Sequence, residues 1–464
     1  MIPTFEQVGI MINTGMQIAE ALGGDGSGTP GSITIPEALE DIAFALKQMQ
    51  EVQIVTEKDV NFIDYDGTLE ASYTAEEFAA LTELPPNPKH RGLISQGWNW
   101  TLEDAQEYVA AHGKLNIGQC YSTSNGTTRL HIDIYHRLVK KFKLAFAVNG
   151  TVEIDWGDGS EKTTLTGTSA GLNQQVKTDA HEYASTGKYT IELDVKSGSA
   201  ALYAPMNSQS LFVDPASTAN TANRMYCNVL YGLEIGNNMT VKSTALLDRL
   251  KTVVIPPVPG CLGNGAFSNR KEIKAIIIPS GFTEIADNDF SYMPSLEYVS
   301  LPKSIVTIGN DAFRSSPLRT FTMPPNVSTF GTGVFQACEE LEEIYLPPSL
   351  TAISNFLFYM AGNIETIEIP AGVTSIGESA FQYCAGLVEL TIPSQVETLG
   401  TSSLTSLSSL RELHFKSATP PTTGSDVFGY LPTFCKIYVP TGSLSAYTSA
   451  QGFPNSSAYT YVEE

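Results

Sequence analysis

Charge is scarce in this sequence and one-sided where it occurs. Only 16% of the 464 residues are charged, and 49 acids against 27 bases leave a net charge of −22. A chain without a basic excess lacks the general electrostatic attraction that holds nucleic-acid phosphates, and anionic membranes repel it. Neither nucleic acid nor membrane insertion is an expected partner. Cysteine is sparse: Cys120, Cys227, Cys261, Cys338, Cys384 and Cys435 include no CxxC pair. That scatter excludes a zinc knuckle or a dense disulfide framework, so free buried thiols are expected. No apolar run approaches a bilayer-spanning length. Met1 to Leu22 has no basic n-region, and Glu6 and Glu20 interrupt it, so no secretory signal is expected there. The six histidines form no HxxxH or HExxH pattern, and no GxSxG or GxxxxGK[ST] loop occurs. No metal and no cofactor are expected.

What is abundant is Gly (38), Pro (26), Ser and Thr, beside 42% hydrophobic residues. That balance favours β-rich, turn-rich architecture, and the length suits about three domains. Near the start, Val8, Met11, Gly15, Ile18 and Leu22 are spaced 3, 4, 3, 4. After a Gly/Ser/Pro linker at 23–32, Leu39, Ile42, Leu46 and Met49 repeat the spacing. Both stretches read as short amphipathic helices with a heptad-like seam. Isolated helices this short are marginal, so they need a partner, either the rest of the chain or copies of themselves. Residues 53–140 read as mixed α/β, with a helix from about Thr101 to His112. Trp98 and Trp100 precede that helix as core or as a ligand platform.

From about residue 250 the chain is periodic. Prolines end apolar strands at Pro256, Pro279, Pro302, Pro324, Pro347, Pro370 and Pro393, spaced 22 or 23 residues apart. Phe267, Phe290, Phe313, Phe335, Phe358 and Phe381 keep the same beat, as do Leu250, Ile273, Leu296, Leu318, Leu341, Ile364, Leu387 and Leu410. Each unit runs like LEEIYLPPSLTAISNFLFYMAGN, Leu341 to Asn363. L-x-x-I-x-L places Leu341, Ile344 and Leu346 inward on one strand per unit. One unit cannot bury its own apolar face, and about seven stacked units make a continuous core.

The stretch IPAGVTSIGESAFQYCAGL, Ile369 to Leu387, resembles the BspA-like leucine-rich-repeat family. Leu404 replaces the Phe of one unit, and Phe330 with Gly331 distorts the 22-residue unit. The ending KIYVPTGSLSAYTSAQGF also resembles how that family closes its solenoid. The resemblance implies cell-surface adhesion and ligand binding. Upstream, WGDGS followed by HEYASTGKYTIEL resembles the PKD family of immunoglobulin-like domains, through Trp156, Gly157, Asp158, Gly159, His181, Tyr183, Gly187 and Tyr189. That resemblance implies a spacer or carbohydrate-proximal module. The segment from DYDGT to GWNWTLEDAQEYV resembles phage-encoded leucine-rich-repeat proteins of gut bacteria.

Two motifs could carry chemistry. Asp64-Tyr65-Asp66-Gly67-Thr68 resembles the nucleophile loop of haloacid-dehalogenase-type phosphatases, in which the first Asp attacks phosphorus. The reaction also needs a downstream Lys and a second acidic pair for magnesium; residues 70–140 offer Lys89, Lys114, Lys140 and scattered acids. A plain Asp-Gly turn is the alternative. Asp155 and Asp158 flank the WGDGS turn and could either bind calcium or cap the turn.

The expected fold is therefore multidomain and mainly β. It has N-terminal helices with a Gly-rich linker (1–52), a small α/β domain (53–140), a PKD-like β-sandwich (141–200) and a leucine-rich-repeat solenoid with a C-terminal cap (201–464). Outward strand positions supply the candidate ligand-binding face: Ile277, Tyr298, Ser300, Thr320, Thr322, Glu343, Tyr345 and Glu368. The functional expectation is a non-enzymatic adhesion protein. A phage virion protein (fibre, tail- or head-attached) that binds a host-surface protein or glycan and other virion proteins comes first. A bacterial cell-surface adhesin and a phosphatase acting through Asp64 and Asp66 are the alternatives. Self-association through Val8, Ile18, Leu39 and Leu46 is expected, with a trimer favoured by analogy to viral fibres. Replacing Leu39 and Leu46 with Asp should place like charges in the seam and dissociate the assembly in light scattering. A monomeric wild type would mean that these helices pack elsewhere.

Overall fold

The computed structural model describes residues 57–464 except 173, 204–210, 217–225, 227 and 245–246. The chain divides into two compact units, Met1–Thr56 and Glu57–Glu464. The expected N-terminal helices, with Val8, Ile18, Leu39 and Leu46, lie outside the described residues, as does Cys227. The second unit is mainly β, with few helices and a C-terminal β-solenoid of leucine-rich-repeat type.

A four-stranded sheet opens it. Its strands are β1 (Val60–Ile63), β2 (Leu69–Tyr73), β3 (Leu93–Trp98) and β4 (Leu115–Thr123), in the order β2-β1-β4-β3. The apolar run of β1 is buried throughout, as suits a central strand, and it lies parallel to β4 with Val60 opposite Leu115. Helix α1 (Ala75–Ala79) begins with a capping box in which Thr74 and Glu77 satisfy each other's backbone N–H. Helix α2 (Leu102–His112) is capped by Thr101 and ended by Gly113 at φ 80°.

The following strands form one ten-stranded sheet. Strand β5 (Thr128–Ile134), read above with the α/β region, pairs antiparallel with the long strand Gly187–Tyr203. That strand in turn pairs with Lys141–Asp155, from Glu192 opposite Asp155 to Ala201 opposite Ala147. The residues of the WGDGS and HEYASTG motifs meet at one end. The His181 ring stacks on Trp156 with centroids 4.3 Å apart, and its Nε2 lies 2.9 Å from Asp158 Oδ2. Tyr183 Oη donates to the carbonyl of Trp156.

No break separates this sheet from the solenoid. Leu230–Glu234 pairs antiparallel with β5 and parallel with Thr252–Val254, so the first coil is hydrogen-bonded to the sheet edge. The apolar core runs as one cluster from Leu130 to Tyr447. The expected boundaries at 140 and 200 therefore cut through shared sheet and core.

Most repeats contribute two short strands where the sequence pattern suggested one. The first ladder includes Ala275–Ile277 on Tyr298–Ser300 and Glu389–Ile392 on Glu412–Phe415. The second runs through Glu284–Ile285, Thr307–Ile308 and Thr329–Phe330, then from Ala352–Ile353 to Thr422–Thr423. The remaining side is the turn stretch around the phenylalanines. From Phe267 to Phe381 their buried rings stack 5.6–6.3 Å apart. Backbone N–H groups there donate to the next repeat, as Phe290 does to Ala312, Phe358 to Ala380 and Leu404 to Val427. Residues two beyond the phenylalanine, among them Tyr292, Met360 and Tyr383, take positive φ so that alternate peptides can face along the stack. The cysteines among the described residues are free and buried, and burial pushes the Cys338 thiol up to about 12.

Arg129 joins the layers. It is 9% exposed on β5, and its Nε and Nη1 donate to Glu192 and Glu234 at 2.9 and 3.0 Å. Nη1 also donates to the carbonyl of Gly92 and Nη2 to Asn125. One guanidinium thus ties the loop before β3, the ten-stranded sheet and the first coil. Arg129→Met should leave the carboxylate of Glu234 buried without its charge partner, although His131 stays beside it. The expected cost is about 3–5 kcal/mol in denaturant unfolding. A loss below about 1 kcal/mol would mean the network is not a structural tie.

Candidate functional site

The outward side chains of the first ladder divide into a covered group and an open group. At the N-terminal end the four-stranded sheet and α2 lie directly on the solenoid. Ile277 is 5% exposed and Ser300 fully buried, and Ile277 packs with Ile63 and Cys120. Asn99 Nδ2 donates to the carbonyls of Ile278 and Ser300, and Ser300 Oγ donates to the carbonyl of Asn116. Trp100 Nε1 donates to Leu301 O, and Tyr108 Oη to Met323 O. The hydroxyl of Tyr298 donates to Glu57, and Thr322 Oγ1 accepts from the backbone of Asn116. The His112 ring lies 3.8 Å from that of Tyr345, and Lys114 reaches Glu343 at 2.5 Å.

This corrects the expected ligand-binding face. Ile277, Tyr298, Ser300, Thr322, Glu343 and Tyr345 bind the chain's own α/β region, while Thr320 and Glu368 remain exposed. The physical reason is close packing: Gly118 of β4 has no side chain, and a Cβ there would lie 2.4 Å from Ile277 Cγ2. Trp98 and Trp100 are explained by the same packing. The Trp98 indole donates to Pro85 O inside the α/β core, and Trp100 is part of the contact itself.

Beyond Tyr345 the outward face is open. It carries Thr366, Glu368, Glu389, Thr391, Glu412 and His414. The imidazole of His414 stacks on Tyr438 at 4.3 Å, and its Nδ1 lies 3.0 Å from Glu464. Beside this face runs a trough of about 900 Å³ across four successive repeats. Glu342, Glu365, Val388 and Arg411, each directly after the repeat Leu or Ile, form one side. Gly362, Asn363, Gly386, Ser408, Ser409 and Phe434 also line it. The first ladder is interrupted at the same place. Glu343–Ile344 and Glu389–Ile392 belong to different sheets, and Thr366–Glu368 between them is not in a strand. None of the trough residues except Glu343 was a sequence candidate. The available signal was Gly386 and Ser409 directly before Leu387 and Leu410, with Gly362 two residues before Ile364.

The DYDGT segment forms the connection between β1 and β2. Asp64 is buried; its Oδ1 accepts from Tyr65 N and its Oδ2 lies 2.5 Å from His90 Nε2. Asp66 accepts from Thr68 N, and Gly67 N donates to Asp64 O. The strand after the motif returns antiparallel, so these contacts are those of a β-hairpin turn. Burial alone would lower the His90 pKa, but the hydrogen bond and charge of Asp64, with Asp66 and Glu70, outweigh it and raise it. Asp155 Oδ1 and Asp158 Oδ1 accept from Gly157 N and Ser160 N within their own turn.

Comparison with known proteins bears on the solenoid. The description "BspA type Leucine rich repeat region" matches in six copies, over 244–359, 307–435 and 351–457. No curated protein matches. Among solved structures, a leucine-rich repeat protein from Bacteroides ovatus is 22% identical over 58% of this chain and 73% of its own, with a TM-score of 0.39. A T. pallidum leucine-rich repeat protein is 22% identical over 39% and 83%, with a TM-score of 0.31. A leucine-rich cell surface protein from Faecalibacterium prausnitzii is 18% identical over 57% and 90%, with a TM-score of 0.26.

The covered half of the face gives a direct test. Gly118→Val should force β4 off Ile277 and cost about 1–3 kcal/mol. Proteolysis should then cut between residues 57 and 123 before the solenoid is attacked. An unchanged unfolding midpoint and digestion pattern would mean that the contact is not maintained in solution.

Proposed function

We propose that this chain, whose residues 244–457 carry BspA-type leucine-rich repeats, is a non-enzymatic adhesion protein that binds its ligand on the later repeats. The observation that carries this reading is the division of the solenoid face. Its first repeats are occupied and braced by the chain's own α/β region, while Glu368 and Glu389 are exposed and Glu412, half-buried beside His414 and Tyr438, lies with Glu389 on paired strands. Rigid scaffolding that presents polar, solvent-facing side chains is how repeat proteins build extended binding surfaces.

We place the protein on a phage virion, attached through its N-terminal region, with a PKD-like module between attachment and adhesion. The cluster of Trp156, His181 and Tyr183 supports the PKD-like part of this reading. The ligand is a host-surface protein or glycan, and the attached form is a homo-oligomer. A bacterial cell-surface adhesin would use the same face. No turnover enters the reading, because Asp64 is committed to His90 and to its own turn.

Labelled full-length protein should bind gut-bacterial cells or mucin in a saturable manner. The triple variant Glu368→Lys, Glu389→Lys, Glu412→Lys should lose that binding with its unfolding midpoint little changed. Antibody against the protein should decorate purified phage particles; labelling of the bacterial envelope alone would select the cell-surface alternative. Magnesium-dependent phosphoester hydrolysis that disappears in Asp64→Asn would overturn the non-enzymatic reading.

A further inference from the structure

We infer that the trough beside the open face binds a linear, neutral oligosaccharide lying along the solenoid axis. This rests on the adhesion reading and names the class of ligand.

Charge decides against an ionic ligand. Three carboxylates line the trough, but Glu342 already receives Arg319 at 2.6 Å and Glu343 receives Lys114 at 2.5 Å. Glu365 and Arg411 then contribute one charge of each sign. The result is a polar surface with little net charge despite the acidity of the chain. Carboxylate, amide and guanidinium groups are planar, and their donors and acceptors suit the paired hydroxyls of a sugar ring.

Shape points the same way. The trough is open to solvent and passes four successive repeats. Gly362 and Gly386 line it without side chains, and a Cβ on Gly386 would lie 2.5 Å from Gly362 O. Phe434 is 63% exposed, which leaves its ring free to stack on the apolar face of a pyranose. Parallel strands repeat every 4.8 Å or about that, so four repeats offer equivalent groups over roughly 14 Å. A sugar chain has a similar advance per residue, so successive rings would meet successive repeats. The first ladder is broken at Thr366–Glu368, as it also is between Tyr298–Ser300 and Thr320–Phe321. At Thr366–Glu368 the backbone is not committed to a strand and lies beside the trough wall, where it can bond hydroxyl groups.

The experiment is calorimetric titration of the full chain with linear hexasaccharides of glucose, mannose and N-acetylglucosamine. A sulfated hexasaccharide and a lysine-rich peptide serve as charged comparisons. At least one neutral sugar should bind, and Phe434→Ala should weaken it at least about tenfold. Gly362→Leu should do the same by filling the trough, since a Cβ at Gly362 meets nothing within 4 Å and the fold has no reason to suffer. Failure of every neutral sugar, binding of the charged probes alone, or affinity unchanged in both variants would each overturn the inference. If both variants keep their binding to cells or mucin, the trough is wrong while the adhesion reading stands.

Discussion

Every repeat of the solenoid leaves backbone polar groups that only its neighbours can satisfy. A strand of two residues, such as Glu284–Ile285, has no stability of its own. It persists because the next strand lies in register beside it and because its inward residue enters a core shared with the next coil. The first coil needs a neighbour too, and the ten-stranded sheet provides it through Leu230–Glu234. Solenoid and sheet are therefore one cooperative structure, held at their junction by the buried charges around Arg129.

The same requirement explains the α/β region. Apolar outward positions such as Ala275 and Ile277 would stand in water on a bare solenoid. Covering them removes apolar surface, and the cover stays only because its polar groups find partners in the solenoid backbone. Asn99, Trp100 and Tyr108 all spend their donors there. Past Tyr345 the outward residues are Thr, Glu and His with no aliphatic side chain among them, so they need no cover. The open face thus begins where the side-chain chemistry changes.

The repeat was legible in the sequence because Pro, Phe and Leu recur in one register, and three such series share a single physical cause. The second ladder was not legible, since two-residue strands show no alternation to read. Nor was the docked α/β region. Tyr298 and Tyr345 look alike whether they await a ligand or already face His112 and Glu57. The residue that decided the matter, Gly118, reads in sequence only as a break in a strand pattern. Trp156, His181 and Tyr183 could be grouped beforehand because a turn and a strand fix their spacing. Phe434 and Arg411 could not, because their relation exists only after the coils stack. The N-terminal seam falls outside the described residues.

The turn stretch of the solenoid has one more property. Alternate peptides there face the same way along the stack: N–H groups such as those of Gly265, Phe267 and Asn269 donate to carbonyls of the following repeat, while the N–H groups between them bond within their own turn. Any whole repeat therefore presents the same donors above and the same acceptors below. A unit could be duplicated or lost by recombination without disturbing either terminus of the stack. Reach, measured in repeats, is then free to drift between lineages, while the sheet that starts the solenoid and the cap that ends it stay fixed.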